Sequence, residues 1–452
     1  MDLMSADSAP AAAALAVGDE VELDITNIAH GGVCVARYEG RVVFVADTIP
    51  GERVRARIIE AKKKSFARAV TIEVLTASPD RRDHVWPAAA LDRAPEDRAG
   101  GAEFGHIALE RQRLLKAHVL ADAMQRFGGI ELAAEPEEGE GEDAALEDAL
   151  ADLVEAAPGD EEANGLGYRT RVRLHVDGET GLVGPYAARS RRVIAVDSLP
   201  LATDIVNEIA PLQDALPDAA NVDVVAPSAD DPRTLVTLQG EKKRVGAQDR
   251  VQELVEDRGF VVRAGGFWQV HREAPAILFN AVRDAVLDLI EADRFDPSAT
   301  NLDLYGGVGL LAAAMAEAAG PALRVTTVES DEHATDDASE NLSELVGALS
   351  VTARVDRHLA DLLASPETVR TRVRRATVVL DPPRSGAGGD VIRQLTELAP
   401  ANIVYVACDP VALARDTGTL RSSGYELTAL RAFDIFPHTH HFETIAVFER
   451  ED

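Results

Sequence analysis

The chain has 452 residues, 46% of them hydrophobic, and carries 46 Lys and Arg against 77 Asp and Glu for a formal charge of -31. That length exceeds one ordinary core and leads us to expect two to four domains, while the charge argues against a protein that coats nucleic acid with a generally basic surface. No run of about 18 uncharged apolar residues offers a membrane-spanning helix, and two widely separated cysteines, Cys34 and Cys408, argue against a disulfide framework and fit a reducing cytoplasm.

Residues 1–16 form an Ala-rich start with no basic segment ahead of it, which is expected to be disordered rather than a secretory signal. From 17 to 78 apolar and polar residues alternate between turn signals such as Gly31-Gly32 and Pro50-Gly51, the pattern of short antiparallel strands closing a small OB-like barrel. Within it, Arg53, Arg55 and Arg57 fall on one face of a strand, because alternate side chains point the same way. With Lys62, Lys63 and Lys64 at the next turn they form a candidate footprint for a nucleic-acid backbone, though charges also guard solvated edge strands.

Residues 79–265 are expected to form a β-rich central domain. A helix is predicted over Leu109–Gln125, strands over Tyr168–Val176, Leu182–Tyr186 and Arg191–Val196, a helix over Thr203–Leu216, and strands near Val222–Val225 and Leu235–Leu238. The arginines between Arg169 and Arg192 give a second basic face. An acidic stretch about 131–164 interrupts this section and reads as a flexible insertion: Glu131 to Glu162 holds fourteen Asp and Glu and no Lys or Arg.

From 266 the grammar changes. A helical pattern over Ala274–Ile290 leads to strands at Asn301–Tyr305, Val325–Glu329, Thr377–Leu380, Asn402–Val406 and Thr444–Phe448 with helices between, which predicts a doubly wound, Rossmann-like α/β domain over 266–452. In such a sheet chemistry sits beyond the carboxyl ends of the strands. The first strand runs into Tyr305-Gly306-Gly307-Val308-Gly309, where glycines let a ligand approach the backbone and the following helix N-terminus. The next strand ends at Glu329, placed to accept hydrogen bonds from a ribose, so the pair indicates an adenosyl-type cofactor. The strand Thr377–Leu380 ends in Asp381-Pro382-Pro383-Arg384, a rim loop stiffened by two prolines. Cys408 follows the strand Asn402–Val406, a placement that suits a nucleophile as well as a small buried hydrophobe. Glu443 stands at the entrance to the last strand. The histidines at 438, 440 and 441 crowd one short loop without a cysteine partner, and no metal site is expected.

These motifs together resemble the S-adenosylmethionine-dependent RNA uracil-5-methyltransferases, with their DPPR loop, Cys-x-Pro nucleophile loop and final FPxTxHxE motif. Gly266-Phe267-Trp268-Gln269-Val270-His271 is similar to that family's aromatic-Gln-x-Asn stretch, and the first barrel resembles the TRAM domain often fused in front. The resemblance implies a class I methyltransferase fold with S-adenosylmethionine as cofactor and tRNA or rRNA as partner, in the cytoplasm, with no membrane association and no obligate protein partner. It further implies that Cys408 adds to carbon 6 of uracil, Glu443 removes the carbon 5 proton, and Gln269, Tyr305, Gly307, Glu329 and Asp381 contact the cofactor. A thiol with an ordinary pKa of about 8.5 needs only a modest shift to supply thiolate at neutral pH, and such a shift is expected for Cys408.

The departures are equally specific. Many relatives ligate an iron-sulfur cluster through cysteines that here read Ala99 and Ala102, so no cluster is expected. Gly306 stands for a usual cysteine, Leu310 for a polar or aromatic residue, and His271 for the usual asparagine. A cytosine-5 methyltransferase, an amino-group methyltransferase and a non-catalytic RNA-binding assembly factor are the alternative readings.

Overall fold

The computed structural model describes residues 15–62, 66–132, 147–241 and 246–451, so Lys63, Lys64 and the acidic residues 133–146 lie outside the described residues. Internal contacts divide the chain into two units at residue 108. The division falls inside the segment expected to form the central domain, and from Leu109 onward the central strands and the C-terminal sheet belong to one unit.

The first unit is built on a closed barrel of β1 (Glu20–Ala29), β2 (Val33–Tyr38), β3 (Arg41–Ala46), β4 (Arg53–Ala61) and β5 (Phe66–Thr76), in the order β1-β2-β3-β5-β4. Alternation drives the closure. In β4, Val54, Ala56 and Ile58 are buried in a core with Leu23, Val43, Val45 and Ala67, while Arg53, Arg55 and Arg57 point outward. Glu39 and Gly40, both at positive φ, make the two-residue turn between β2 and β3 that matches the strand twist. The outward arginines do not form an uncompensated basic face. Arg53 pairs with Glu22 at 2.9 Å, Arg57 with Glu20 at 3.3 Å, Arg55 with Glu73, and Lys62 with Glu60 at 3.6 Å. Glu20 and Glu22 come from β1 and Glu73 from β5, the neighbouring strands, whose polar positions face the same side, while Glu60 lies on β4 itself.

After the barrel, Arg81 donates to both oxygens of buried Glu52, at 2.6 and 2.8 Å. Ala99 and Ala102 are buried beside Trp86 and Phe104, and the His84 ring, 6.2 Å from that of His106, bonds to the Ala102 carbonyl and the Trp86 amide. Two methyl groups therefore stand at the positions matched to cluster cysteines, and they offer no ligand.

The second unit begins with α1 (Leu109–Ala123), followed by a π-turn at Met124–Gly128, and β6 (Val154–Ala156). Next come β7 (Arg171–Val176), β8 (Val183–Gly184), α2 (Asp204–Ile209), β9 (Ala219–Val225), β10 (Arg233–Leu238) and the hairpin β11 (Arg250–Val255)–β12 (Arg258–Arg263). A sheet of order β10-β9-β7-β8 replaces part of what the alternation suggested. Arg191–Val196 forms no strand, only an isolated bridge between Tyr186 and Val193. The helix expected to Leu216 stops at Ile209, because Pro211 disfavours helical backbone at Ala210.

The remainder is α3 (Ala274–Glu291), β13 (Asn301–Leu304), α4 (Leu310–Ala319), β14 (Val325–Glu329), α5 (Glu332–Asn341), β15 (Ala348–Thr352), α6 (Val355–Leu363), α7 (Glu367–Val373), β16 (Thr377–Leu380), α8 (Gly389–Leu398), β17 (Asn402–Ala407), α9 (Pro410–Arg421), β18 (Tyr425–Asp434) and β19 (Glu443–Arg450). The sheet runs β15-β14-β13-β16-β17-β19-β18-β6, with β15 through β17 parallel and β19 antiparallel to both neighbours. Both faces are covered. Val378, Leu380, Ile403 and Tyr405 pack with α6, α8 and α9, whereas Val379, Val404 and Val406 point the other way against α3 and α4.

Residues 147–164 are not the flexible insertion expected from their acidity. Val154–Ala156 pairs in parallel with β18 at the sheet edge, and Asp160 is buried against His271. Apolar residues spaced among the carboxylates, Leu150 and Val154, pack with α1 and Phe442 and outweigh the charge.

Candidate active site

The chain order turns back between β13 and β16: it first builds outward to β15, then crosses β13 to add β16 and β17. This switch point is where an open parallel sheet leaves a crevice at its carboxyl rim. The crevice here is a cavity of about 840 Å³. Gln269, Tyr305, Gly307, Glu329, Asp381, Cys408 and Glu443, separated by up to 174 residues in sequence, all line it.

Register explains the meeting of the last two. β17 and β19 pair with Ala407 opposite Thr444, so one step further the ladder sets Cys408 beside Glu443. Because β19 is antiparallel, its first residue lies at the rim where β17 ends. Likewise Leu304 pairs with Leu380, and the Asp381 amide donates to the Leu304 carbonyl at 3.2 Å, which brings Tyr305 and Asp381 to the rim together.

The glycine-rich turn after β13 is strained where it faces the cavity. Tyr305 adopts φ +61, a left-handed value uncommon for a bulky residue, and Gly309, the N-cap of α4, has φ +87. The Gly307 amide donates to Glu329 Oε2 at 3.3 Å, and the Asp331 amide to Glu329 Oε1 at 2.8 Å. The missing cysteine at Gly306 has a local cause: a Cβ there would meet Thr327 Oγ1 at 1.9 Å and Asp303 Oδ2 at 2.6 Å. Thr327 and Asp303 hydrogen-bond each other at 3.0 Å and fill the space. His271 is also compensated. Its Nδ1 accepts from the Glu273 amide, which leaves Nε2 to donate to Asp160 at 3.1 Å, and its ring stacks on Tyr168. Leu310 is buried at the head of α4.

The electrostatics are dominated by buried carboxyl groups. Burial, reinforced by Asp303, raises Asp381 to about 7, and burial raises Asp303 itself to about 7. Glu443 is held well above the usual carboxylate range by burial and then by Asp381, with Arg384 opposing. Its Oε2 has no hydrogen-bond partner among the described residues. Burial, then the charges of Glu443 and Asp381, pushes the Cys408 thiol up to about 12, again against Arg384. This corrects the expectation of a thiol that ionises near neutrality: the carboxyl groups that the fold gathers around Cys408 are negative when ionised and oppose a further negative charge.

Asp337, to which sequence reasoning gave no role, also lines the cavity, as do Phe436 and His441, whose rings meet edge to face at 6.0 Å, and Trp268 and Arg169, which it read only as motif residues or, for Arg169, as part of a basic face. Their signal was adjacency to the motifs; the motif letters alone carried no direction. Among the described residues no group of three or more His, Cys, Asp or Glu is arranged to hold a metal ion, and no helix is long and apolar enough to cross a membrane.

Comparison with known proteins bears on the same regions. A TRAM domain model matches residues 14–71, and a tRNA (Uracil-5-)-methyltransferase model matches residues 363–451. An uncharacterized RNA methyltransferase of Streptomyces avermitilis is 36% identical over 96% of this chain and 99% of its own. The 23S rRNA (uracil(1939)-C(5))-methyltransferase RlmD of Alkalilimnicola ehrlichii is 30% identical over 95% of this chain and 96% of its own. Among solved structures, the Pyrococcus abyssi tRNA (uracil-54, C5)-methyltransferase in complex with S-adenosyl-L-homocysteine superposes with a TM-score of 0.63 at 18% identity, covering 95% of this chain and all of that one.

Proposed function

Because this chain belongs to the S-adenosylmethionine-dependent RNA (uracil-5-)-methyltransferase family, we propose that it methylates carbon 5 of a uridine in rRNA or tRNA through a covalent adduct at Cys408. The observation that carries the reading is the β17–β19 register, which sets a thiol beside a buried carboxyl group, one oxygen of which has no hydrogen-bond partner among the described residues, on one cavity wall.

S-adenosylmethionine supplies an electrophilic methyl group, and the residues that would hold it are Gln269, Tyr305, Gly307, Glu329 and Asp381. They fit: Glu329 faces the cavity as a hydrogen-bond acceptor beside an open glycine turn. The Cys408 thiol begins protonated, so its proton must leave to a carboxylate of the cavity, and Asp381, poised near neutrality, is suited to take it. Sulfur then bonds to carbon 6 of the uracil, and the ring electrons pass to the carbonyl at carbon 4 as an enolate. Carbon 5 of the enolate takes the methyl group as the cofactor's carbon–sulfur bond breaks. Glu443 removes the proton from carbon 5, the carbon 6–sulfur bond breaks, and Cys408 is released. Arg384 stands where it can balance the enolate charge.

The uridine must leave its stack to present carbon 6, so single-stranded loops are the expected targets. The exposed ion pairs of Arg53, Arg55, Arg57 and Lys62 are each worth little, which lets the cations exchange a carboxylate for an RNA phosphate. We take the compartment to be the cytoplasm, in keeping with an RNA substrate and a free catalytic thiol.

The test is incubation with 5-fluorouracil-substituted RNA and S-adenosylmethionine, because fluorine cannot leave carbon 5 as a cation. A denaturation-stable, methylated adduct at Cys408, absent in Cys408→Ala, is expected; no adduct with either 23S rRNA or tRNA while the cofactor binds would overturn the mechanism. Which pool is trapped identifies the RNA class.

A further inference from the structure

Glu443 ends a connection that leaves β18 at Asp434 and returns as β19, and the path includes His438 at φ +64. A non-glycine residue in that region is unfavourable and persists only where its surroundings fix it. The fixing comes from α1. Gln112 and Lys116 lie one helical turn apart, and both are buried. Gln112 grips His438 twice: its Oε1 accepts from the His438 amide at 2.7 Å, and its Nε2 donates to Nδ1 at 3.1 Å. Lys116 Nζ donates to Asp434 Oδ1 at 2.5 Å and to the Phe436 carbonyl at 3.2 Å.

From the other side, His438 Nε2 donates to the Asn164 carbonyl at 2.8 Å, and the Tyr168 hydroxyl donates to the Pro437 carbonyl at 3.0 Å. The connection is thus anchored along its back, while Phe436, His441 and Glu443 face the cavity. No residue of α1 lines that cavity. A buried ion pair contributes little net stability beyond what apolar residues of similar volume would give, whereas it fixes geometry well.

We propose that Gln112 and Lys116 are positioning residues for the last step of the reaction: they hold the Asp434–Glu443 connection so that the Glu443 carboxyl meets the carbon 5 proton of the adduct. The proposal rests on the reading of Cys408 and Glu443 given above. It separates two halves of the reaction that depend on different anchors. Cys408 is carried by the end of β17 and the head of α9, where Asp409 Oδ1 accepts from the Ala412 amide. Loss of the α1 anchor should spare adduct formation and slow adduct breakdown.

Two variants test this. Gln112→Met removes the grip on His438, and Lys116→Met with Asp434→Leu replaces the ion pair without stranding a charge; together they leave a result even where one fails to fold. Each is compared with wild type for adduct formation on 5-fluorouracil RNA, for S-adenosylmethionine affinity, and for tritium release from RNA carrying 5-tritiated uridine. We expect adduct formation and cofactor affinity within about threefold of wild type, a kcat for tritium release lower by about 10- to 100-fold with little change in KM, and methylated adduct accumulating on ordinary RNA. Tritium release at the wild-type rate, or equal loss of adduct formation and release, would overturn the proposal. Failure of wild type itself to form the fluorouracil adduct would instead remove the underlying reading, and the proposal with it.

Discussion

Alkylation of Cys408 by iodoacetamide probes the cavity's electrostatics without any substrate. The thiol is pushed up to about 12 by burial and by the charges of Glu443, Asp381 and Asp409. At pH 8 such a group is ionised in about one molecule in 10⁴, against roughly a quarter of an ordinary thiol with a pKa of about 8.5. Only the thiolate reacts, so the ligand-free protein should be alkylated at Cys408 about three orders of magnitude more slowly than free cysteine, with the rate rising about tenfold per pH unit through pH 10. Glu443→Gln removes the largest of the charge effects. A neighbouring unit charge at an effective dielectric near 20 contributes a few kcal/mol, or about two pH units. On the alkaline limb, where Glu443 is ionised, the variant's curve should therefore shift down by up to about two units. Peptide mass mapping separates Cys408 from buried Cys34. A wild-type midpoint near 8.5, or an unshifted curve in Glu443→Gln, would refute the account of an anion-rich wall.

Gly306→Ala should destabilise the second unit by about 2–4 kcal/mol and weaken cofactor binding, because the new methyl group meets Thr327 and Asp303; adding Thr327→Ala should recover part of the denaturant midpoint. Asp303, raised from its ordinary value to about 7, binds its proton more tightly folded than unfolded, so stability should fall as pH rises from about 4 to about 7 and stay level above. That loss is bounded at about 4 kcal/mol, and urea melts of Asp303→Asn should show a flatter pH dependence and a gain at pH 8. Replacing Arg53, Arg55 and Arg57 by Gln should leave the melting temperature nearly unchanged while lowering the slope of log affinity for RNA against log salt by up to about three. S-adenosylmethionine, with its fixed positive charge, should bind more tightly than S-adenosylhomocysteine at pH 8, and calorimetry at pH 6 should show the gap narrowing as Asp381 takes up its proton.

Much of this was legible in the sequence because two kinds of signal are local. Buried parallel strands announce themselves as apolar runs, and Val325–Glu329 and Thr377–Leu380 fall where that signal put them. The residues at their ends then follow from the topology of an open sheet, which is why Glu329 and Asp381 could be named. Weaker signals belong to strands whose faces are only partly buried. β18 carries Glu426, Arg431 and exposed positions between its apolar ones, and β6 is three residues long inside an acidic stretch. Their strand character comes from their partners. The same holds for the site's finer design: nothing in the letters Gln112 and Lys116 shows that they reach His438 and Asp434 more than 300 positions away. Nor could the ionisation state of Cys408 be read from its motif, because it depends on which charges the fold gathers around it.

The acidity that argued against an RNA partner takes a different meaning at the cavity. Glu329, Asp381 and Glu443 line it, Asp303 lies buried against the glycine turn, and Arg384 opposes them. Burial and mutual repulsion raise the proton affinity of Asp381, Glu443 and the Cys408 thiol, and burial raises that of Asp303. A cationic methyl donor is the complementary guest, since its charge stabilises the ionised forms that the chemistry requires. In the mechanism proposed above, methyl transfer would convert that donor to a neutral sulfide, the carbon 5 proton would pass to Glu443 in the following step, and the reason for the ionised state would then be gone. In that mechanism the wall's carboxyl groups would tie the readiness of Cys408 to the presence of the unspent donor, a link that a lysine- or arginine-rich wall, better suited to the RNA backbone, could not make.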